Sequence, residues 1–564
     1  MPKKIFIGVA WPYVNGDLHI GHLAGYLLPA DIFARSQRYL GNDVLMVSGS
    51  DCFGTPITIE ADKRGVHPKN IVDEYHKKNK ELFKFLGISF DIYTKTDTEN
   101  HERVVQQFFL KFLEKGLIFK NTTKQYYSPE EKRFLPDRYV EGVCSRCGHK
   151  DARSDQCENC GAVLDQGELI EPRSKNSGSS VELHNTEHYF LDWPKLESFL
   201  KKYVKGKKGE WRDWVYRETD GWLKKGLKPR AITRDLDWGI KIPTEKISAR
   251  LRIENTDHKR IYVWFEAVIG YLSASIEWSN QRKSEQWKEW WQNKKARHYY
   301  FMGKDNLVFH TIFWPGELHA YDRKLNPPNF PCINQFLNLE GQKISKSRGV
   351  IIDSRYITEK YGIDPVRFYL TTIMPENHDT NFTWNDFSRT TNDILIGVVA
   401  NFIHRALTLA EKAKLDPKLV EPKTELTVKK MTDSAKKAIE ACAFKKYTEI
   451  IQKIAEFGNK YISEKEPWTY AANDIRFNKI LSNGVFIVLA IQSLLKPLLP
   501  DTYKKLSSMT GIDFHRLPDH ETIKTSLHKL KLTKPSPLFS KIDPEVIAIE
   551  KSKIDSGSSP KTNH

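Results

Sequence analysis

The sequence lacks an uninterrupted apolar run long enough to cross a lipid bilayer. Its best candidate, residues 484–499, contains Gln492, Lys496 and Pro497 and is shorter than the roughly 20 residues that a spanning helix needs. The N-terminus also enters an apolar strand pattern at once, without a secretory leader. These absences favour a cytoplasmic protein with no membrane partner, in which the late apolar stretch is a buried helix.

Internal repeats and a basic tail are missing as well. The chain has 564 residues, too many for one hydrophobic core, so three or four domains are expected. Its net charge of +17 is dispersed along the chain. Such a charge favours a polyanionic partner without identifying which nucleic acid, and the alternative is an enzyme that is merely basic.

Cysteine is scarce, yet four of the 7 cysteines form one cluster: Cys144-x2-Cys147-x9-Cys157-x2-Cys160. Two Cys-x-x-Cys pairs separated by a short polar loop are typical of tetrahedral zinc ligation. Disulfides fit a cytoplasmic chain less well. Because all four positions are thiolates, the spacing predicts a structural zinc ion with no open position for catalysis.

Hydrophobic periodicity divides the chain into segments of different character. Over about residues 4–120, short apolar strands alternate with amphipathic helices, which is typical of a doubly wound parallel sheet. Residues 121–230 are polar, cysteine-bearing and rich in glycine and serine, which indicates an insertion. Strand-like residues 260–265 and 298–302 are predicted to resume the sheet. After about residue 386, long periodic segments predict an antiparallel helical bundle.

The predicted fold class is therefore α/β, a Rossmann-like doubly wound parallel sheet split by a zinc-bearing insertion and followed by an all-α bundle. The predicted boundaries are 1–120 and 231–325 for the two halves of the sheet domain, 121–230 for the insertion, 326–385 for the region of the late lysine loop, 386–530 for the bundle and 531–564 for a partly flexible tail.

Two short motifs predict nucleotide chemistry. A His-Ile-Gly-His segment from His19 to His22 follows the first strand and opens a helix, which places both imidazoles on one face beside N–H groups that attract phosphate. Far downstream, Lys343 and Lys346 show the same spacing in a glycine-bounded, hydroxyl-rich loop. A mobile loop with two ammonium groups can close on a triphosphate and neutralise charge as pyrophosphate leaves. Together the motifs predict an ATP site.

The order of these parts resembles the class I aminoacyl-tRNA synthetases. Finer motifs narrow the resemblance to the methionyl-tRNA synthetases, over nearly the whole chain up to about residue 530. Trp11, Val268 and Ile344 depart from the common pattern of that family, each by an apolar exchange. The motifs that carry the resemblance are Ala10-Trp11-Pro12-Tyr13-Val14-Asn15-Gly16, Ser50-Asp51-Cys52-Phe53-Gly54-Thr55-Pro56, Phe134-Leu135-Pro136-Asp137-Arg138-Tyr139, Tyr262-Val263-Trp264-Phe265-Glu266-Ala267 and Gly303-Lys304-Asp305-Asn306.

The resemblance implies a methionine–tRNA ligase that uses ATP with Mg²⁺. Methionine and ATP would give methionyl-adenylate and pyrophosphate, and the methionyl group would then pass to initiator and elongator tRNA(Met). Catalytic roles are implied for His19, His22, Lys343 and Lys346, and Gly21 joins them in the ATP-binding set. Aromatic side chains suit a soft thioether, and a carboxylate suits the substrate ammonium group. The expected methionine-binding residues are Trp11, Tyr13, Asp51, Trp264, Ala267, Tyr271, Asn306, His310 and Trp314.

The same resemblance implies an anticodon-reading site in the helical bundle. Asn401 and Arg405 are four residues apart and so share one helix face. Trp468 offers a stacking plane for an unpaired base, as readers of single-stranded RNA require. The alternative is that Trp468, which follows Pro467, only fills a helix junction.

A single zinc ion per chain is expected rather than two. Members with two zinc knuckles carry a second set of Cys-x-x-Cys pairs, and here those places read Ser128-x-x-Glu131 and Ser174-x-x-Ser177. Serine hydroxyls are poor zinc ligands at neutral pH. The expected assembly is a monomer, and residues 535–564 either recruit a separate tRNA-binding protein or are a disordered end.

Three rival interpretations were weighed against this one. A catalytically silent RNA-binding relative is disfavoured because the histidine and lysine motifs are intact. A class I synthetase for isoleucine, leucine or valine would need a larger editing insertion than about 110 residues. A zinc-ribbon DNA-binding protein would explain the charge and the cysteines but neither phosphate motif.

Overall fold

A computed structural model describes residues 2–136, 139–154, 157, 159–160, 164, 167–345 and 349–555. Lys346, one of the two predicted loop lysines, lies outside these described residues. The strands are β1 Lys4–Val9, β2 Asp43–Ser50, β3 Ile92–Lys95, β4 Ile118–Ser128, β5 Arg133–Phe134, β6 Val140–Cys144, β7 Ala152–Arg153, β8 Leu169–Ser174, β9 Glu182–Leu191, β10 Arg230–Ala231, β11 Thr233–Asp235, β12 Ile240–Lys241, β13 Lys259–Ile261, β14 Arg297–Gly303, β15 Phe330–Asn334, β16 Leu337–Leu339, β17 Gln342–Lys343 and β18 Thr380–Phe382.

The helices carry most of the remaining described residues. Among these residues, three π-helical segments join neighbouring helices into longer ones: Leu23–Leu27, Phe309–Phe313 and Thr390–Ala400. The α-helices are α1 Ile20–His22, α2 Leu28–Tyr39, α3 Thr55–Arg64, α4 Pro68–Phe85, α5 Glu99–Glu114, α6 Glu197–Lys205, α7 Asp213–Lys224, α8 Val263–Glu266, α9 Gly270–Asn280, α10 Trp287–Trp291, α11 Trp314–Tyr321, α12 Ser354–Tyr361, α13 Ile363–Thr372, α14 Trp384–Arg389, α15 Asn401–Ala410, α16 Pro422–Glu440, α17 Phe444–Lys465, α18 Ile475–Leu498, α19 Pro500–Thr510, α20 His520–Thr525 and α21 Pro544–Asp555.

A parallel five-stranded sheet in the order β15-β14-β1-β2-β3 forms the centre of the first domain. Its central strand β1 is buried along Ile5 to Val9, as an apolar run covered by helices on both faces should be. The strand order reverses at β1, because β2 lies on one side and β14 on the other. Ligands of doubly wound sheets bind in the crevice at the carboxyl ends of such a pair.

The predicted strand at residues 260–265 is wrong. Only its beginning is extended: β13 pairs antiparallel with β11 and β12 in a separate three-stranded sheet. The chain then turns into α8, where the carbonyl of Tyr262 accepts the N–H groups of Phe265 and Glu266. Aromatic and β-branched residues favour strands only weakly, and burial of this turn against the domain decides its conformation. The strand predicted at residues 298–302 is confirmed as part of β14.

The insertion builds its own sheets beside the central one. Strands β4 and β9 pair over ten residues in the sheet β10-β9-β4-β5. The cysteine-bearing part forms the small sheet β7-β6-β8 with its own buried cluster. The insertion therefore separates β1, β2 and β3 from β14 and β15 in the sequence. In the fold, these five strands pair in one parallel sheet.

The helical bundle is confirmed, and its core helix is longer than the sequence suggested. Two helices among the described residues are long and apolar enough to cross a membrane, Trp384–Ala410 and Ile475–Leu498. The second of these is α18, and 94% of its most apolar stretch is buried inside the protein. It is therefore the central helix of the bundle. The segment predicted as a partly flexible tail contains α21.

Candidate active site and zinc centre

A cavity of about 390 Å³ opens at the carboxyl ends of the central strands. It is the place where the reversal of strand order predicts a ligand. Nine residues singled out by sequence line it, namely Trp11, Tyr13, His19, Gly21, His22, Asp51, Trp264, Asn306 and Lys343. The two phosphate motifs, 321 residues apart between His22 and Lys343, therefore face one space.

Both histidines of the early motif are held by the start of the helix. The Gly21 N–H donates to Nδ1 of His19 at 3.1 Å, and the His19 N–H donates to Nδ1 of His22 at 3.1 Å. An imidazole that accepts at Nδ1 carries its ring proton on Nε2 when neutral. Each ring is thus fixed in the tautomer whose Nε2–H can donate to a phosphate oxygen.

The late loop meets the histidine motif directly. A Cβ atom at Gly21 would lie 2.9 Å from the His19 ring and 3.2 Å from Cδ1 of Ile344. Only glycine fits between these groups without a shift of either one. Lys343 ends β17 with its side chain exposed beside the cavity, so its ammonium group can approach a bound triphosphate.

Asp51 supplies a carboxylate with few partners of its own. It is buried at the end of β2, and the Phe53 N–H donates to Oδ1 at 3.3 Å. Burial raises the pKa of the Asp51 carboxyl well above its usual range, and the nearby Glu266 raises it further. A bound ammonium group would favour the ionised form again. The position therefore suits recognition of an amino acid's ammonium group.

Aromatic side chains form the walls beside Asp51. Trp264 packs edge-on against Tyr13, with ring centroids 6.4 Å apart, and stacks on Phe309 at 4.1 Å. Trp11 fits closely on two glycines, since a Cβ atom would lie 2.3 Å from its ring at Gly49 and 2.9 Å at Gly270. These contacts produce an apolar recess of the kind a thioether side chain prefers.

Four predicted methionine-binding residues lie behind the cavity lining. Tyr271 and His310 are buried and joined by a 2.8 Å hydrogen bond between the hydroxyl and Nε2. Nδ1 of His310 is 2.9 Å from the Asn306 carbonyl, so Nδ1 donates and Nε2 accepts from Tyr271. Burial lowers the pKa of His310 to about 4, which keeps it neutral. Trp314 is fully buried and donates to the Tyr300 hydroxyl at 3.0 Å, and Ala267 also lies outside the lining.

Several lining residues were not predicted. Gln335, Phe336 and Asn338 follow the end of β15, where the rule for parallel sheets could have located them. Asp305 stands within a motif already singled out, and Tyr26 lies one helical turn beyond His22. Only the fold brings these separate segments to the same cavity.

The four clustered cysteines have the geometry of a zinc centre. Their sulfur atoms all lie within 4.8 Å of one another. Sγ of Cys144 is 4.0 Å from that of Cys160, and Sγ of Cys147 is 3.7 Å from that of Cys157. Tetrahedral ligation with Zn–S bonds of about 2.3 Å needs sulfur pairs about 3.8 Å apart. The donor set therefore fits one structural zinc ion.

Hydrogen bonds prepare at least one of these thiols for metal binding. The backbone N–H of His149 and the side chain of Asn159 lower the pKa of Cys147 to about 6. A thiolate is the form that binds zinc. Two of the four cysteines, Cys144 and Cys157, are buried, which shields half of the site from solvent.

The place of the second zinc knuckle holds a hydrogen-bonded cluster instead. The carboxylate of Glu131 accepts hydrogen bonds from the hydroxyls of Ser174 and Ser177, and its own N–H donates to Oγ of Ser128 at 3.1 Å. Arg133 pairs with the same carboxylate at 2.7 Å. Burial acts to raise the pKa of Glu131, but these hydrogen bonds lower it on balance. The four residues thus join the two loops without thiolate ligands.

We expect elemental analysis of metal-replete protein to find one zinc ion per chain. Cys157→Ser should lose that ion because three thiolates bind zinc far more weakly than four. Cys52→Ser, which changes a buried cysteine outside the cluster, should keep it. Two tightly bound ions in the wild type, or full retention by Cys157→Ser, would contradict the assignment.

The three residues assigned to anticodon reading lie on the helical bundle. Asn401 and Arg405 are on α15, four residues apart, with Asn401 exposed. Trp468 lies on a short turn after α17 and is 53% exposed. An indole that is half exposed does not fill a helix junction, so this geometry favours the RNA-contact interpretation over its alternative.

Comparisons with known proteins agree along almost the whole chain. Residues 5–407 match the family model of tRNA synthetases class I (M), and residues 417–556 match the model of the anticodon binding domain of methionyl tRNA ligase. The methionine–tRNA ligase of Thermomicrobium roseum is 43% identical over 524 residues, covering 91% of this chain and 87% of that protein. The ligase of Roseiflexus sp. is 39% identical and covers 98% and 99%.

A solved structure shows the same fold. The Mycobacterium tuberculosis methionyl-tRNA synthetase in complex with methionyl-adenylate superposes with a TM-score of 0.75 at 21% sequence identity. The match covers 95% of this chain and 99% of that one. At that identity the likeness concerns the fold alone.

Proposed function

Since this chain belongs to the class I methionyl-tRNA synthetases, we propose specific roles for the residues around its cavity. The activity is methionine–tRNA ligation. Methionine and ATP give methionyl-adenylate and pyrophosphate, and the methionyl group passes to the 3′-terminal adenosine of tRNA(Met). The chemistry requires positioning and charge stabilisation more than covalent participation of the protein.

We assign binding of the ATP phosphates to the early histidines and the late loop. Support comes from the Nε2–H tautomers of His19 and His22 and from the approach of Ile344 to Gly21. N–H donors aimed at developing negative charge stabilise it most where water is excluded. Lys343 is assigned to the departing pyrophosphate. The same role for Lys346, outside the described residues, rests on the family resemblance.

We assign the methionine ammonium group to Asp51 and the thioether to the aromatic recess. The observation that carries the proposal is that Asp51, Trp264 and His19 line one cavity. A methionine held at Asp51 would then place its carboxylate toward the phosphates at the histidines. Attack of that carboxylate on the α-phosphate forms the adenylate and releases pyrophosphate.

Amino-acid-dependent pyrophosphate exchange tests this assignment. The purified protein should exchange pyrophosphate into ATP much faster with methionine than with leucine or isoleucine. An apolar pocket distinguishes substrates that differ by one or two groups by only about 1–3 kcal/mol of transition-state binding free energy. The exchange rate with methionine should therefore exceed that with leucine or isoleucine by roughly 10- to 200-fold. Equal exchange with leucine would contradict the proposal.

Trp468→Ala should impair tRNA charging and leave methionine activation unchanged. Loss of base stacking costs about 1–3 kcal/mol, hence roughly a 5- to 150-fold lower kcat/KM for tRNA(Met). Trp222→Ala removes another exposed tryptophan, on the insertion helix α7, and serves as the control. Equal losses of charging and activation in Trp468→Ala would mean that this side chain supports the fold.

Finer points of assembly belong to the same proposal. We propose a cytoplasmic enzyme that acts as a monomer on both initiator and elongator tRNA(Met). Support for the compartment is the thiol chemistry, since the cysteines are free and four of them suit zinc.

We also propose that residues 535–564 recruit a separate tRNA-binding protein. The net charge of +17 and the exposed Ile549 on α21 support it. A pull-down from native extract that recovers no small tRNA-binding protein with the full chain would remove this proposal.

A further inference from the structure

A buried carboxylate connects the end of the chain to the ATP side of the molecule. Glu550 on α21 has no exposed surface, and it lies outside the cavity lining. Its Oε1 accepts a hydrogen bond from the hydroxyl of Tyr356 at 2.5 Å and another from the ammonium group of Lys360. Nζ of Lys553 lies 3.4 Å away and donates to the Tyr356 hydroxyl at 2.9 Å. One carboxylate thus collects donors from both α12 and α21.

The charges around Glu550 are arranged to keep it ionised. Burial acts to raise its pKa, but the hydrogen bonds from Lys360 and Tyr356 and the charge of Lys553 lower that pKa on balance. Breaking a buried, hydrogen-bonded ion pair leaves an uncompensated charge. The contact between α12 and α21 therefore fixes the position of one helix along the other, which apolar packing alone would not do.

The N-terminus of α12 is hydrogen-bonded to the histidine turn. The Ser354 N–H donates to the Leu18 carbonyl at 3.0 Å, and the Ile20 N–H donates to the Ile352 carbonyl at 3.1 Å. These two bonds hold the segment that enters α12 beside His19. The segment is itself the exit of the late loop, where Ser345 and Val350 exchange backbone hydrogen bonds at 3.0 Å.

The base of α21 is anchored to the bundle. The side-chain amide of Asn392 donates to the Ile542 carbonyl at 2.8 Å and accepts the Ile542 N–H at 2.9 Å. Asn392 lies on the continuous helix that also carries Asn401. The last helix therefore spans from the bundle to α12, with a fixed contact at each end.

We propose that Glu550 is a positioning residue for the segment that leads from the late lysine loop into α12. By fixing α12 from the C-terminal helix, it sets where residues 350–354, which follow that loop, lie beside the histidine turn. The inference rests on the proposed function in one respect, namely that this loop handles the ATP phosphates. Glu550 itself contacts neither substrate.

Glu550→Gln tests the proposal because it keeps the shape and removes the charge. We expect a roughly 2- to 30-fold rise in KM for ATP in pyrophosphate exchange, the range found for coupling through packed contacts, with KM for methionine unchanged. Glu425→Gln is the matched control, since Glu425 also receives a lysine across two helices, Lys524 at 2.8 Å. If Glu550→Gln does not fold, Tyr356→Phe removes one of the same hydrogen bonds. Equal changes in both KM values would overturn the proposal.

A reciprocal measurement separates positioning from stability. If Glu550 couples α21 to the ATP loop, ATP must in turn stabilise α21. Hydrogen exchange of residues 544–555 should slow when ATP is added without amino acid, and Glu550→Gln should abolish this protection. Absence of ATP-dependent protection in the wild type would overturn the inference. Failure of the proposed function is distinguishable, because it would appear as wild-type protein without methionine-dependent exchange.

Discussion

Asp51→Ala is expected to abolish most methionine-dependent pyrophosphate exchange. The variant leaves the substrate ammonium group unpaired in a desolvated site, which costs about 2–5 kcal/mol and lowers kcat/KM for methionine roughly 30- to 5,000-fold. KM for ATP should stay close to the wild-type value, because Asp51 is assigned to the methionine ammonium group and not to the ATP phosphates. Exchange kinetics with each substrate varied in turn measure both effects.

Asp97→Asn provides the matched control. Asp97 is also a largely buried carboxylate after a strand end, but it pairs with Lys69 and Lys95 at 3.3 Å and does not line the cavity. Its exchange kinetics should remain near wild type. Normal methionine activation by Asp51→Ala, or an equal loss in Asp97→Asn, would contradict the assignment of Asp51.

The pH dependence of methionine binding follows from the same carboxylate. Burial and Glu266 raise the pKa of Asp51 above its ordinary value in the free protein, whereas an ammonium group binds only the ionised form. KM for methionine should therefore fall as the pH rises through that elevated pKa, and proton release should accompany binding. Asp51→Asn should lose this pH dependence while retaining the shape of the site.

Arg367→Met is expected to cause the largest loss of stability. Arg367 and Asp31 form an ion pair at 2.8 Å with side chains 1% and 0% exposed, and Nε of Arg367 donates to the Leu498 carbonyl at 2.8 Å. The pair joins α13 to α2 and to the end of α18. Removing Arg367 leaves the buried Asp31 with the partly exposed Arg35, at 2.9 Å, as its remaining cationic partner, and breaking a buried pair of this kind costs about 3–5 kcal/mol. Urea unfolding at neutral pH measures the loss.

An exposed pair of the same type is the control for this variant. Arg389 and Asp386 are 2.7 Å apart with side chains 71% and 45% exposed, so Arg389→Met should change stability by less than about 1 kcal/mol. Burial acts to raise the pKa of Asp31, but Arg367 and Arg35 lower it on balance. The contribution of the pair is thus present above the unfolded pKa of about 3.9 and is lost as the pH falls through the depressed value. Similar losses of stability in Arg367→Met and Arg389→Met would refute the special contribution of the buried pair.

Local pattern was sufficient for several parts of this protein. Cys144 to Cys160 predict a zinc site because metal-ligand spacing is set within one short segment, and the sulfur positions agree. The apolar run of β1 and the periodicity of α17 and α18 predict their own conformations. Family motifs also identified nine residues of the cavity lining. The assigned roles of these residues remain predictions.

Other features depended on contacts that no local pattern contains. Residues 260–265 have the composition of a strand, yet α8 begins there because Val263 and Phe265 are buried against the domain, and such tertiary burial outweighs a propensity worth less than about 1 kcal/mol. The helix α21 was not predicted because its contacts are with segments distant in the sequence: Glu550 bonds to α12, and the helix packs on α14.

The sequence by itself determined the candidate chemistry: which groups are suited to phosphate, ammonium, sulfur and zinc, because residue type and spacing carry that information. The tertiary structure decided which of these groups line the cavity. Tyr271, His310 and Trp314 were assigned to the same methionine site as Trp264, but they lie one layer behind it. It also decided that α12, the histidine turn and the last helix share one hydrogen-bonded path. The physical reason is that packing brings together residues hundreds of positions apart, and no single segment encodes such a contact.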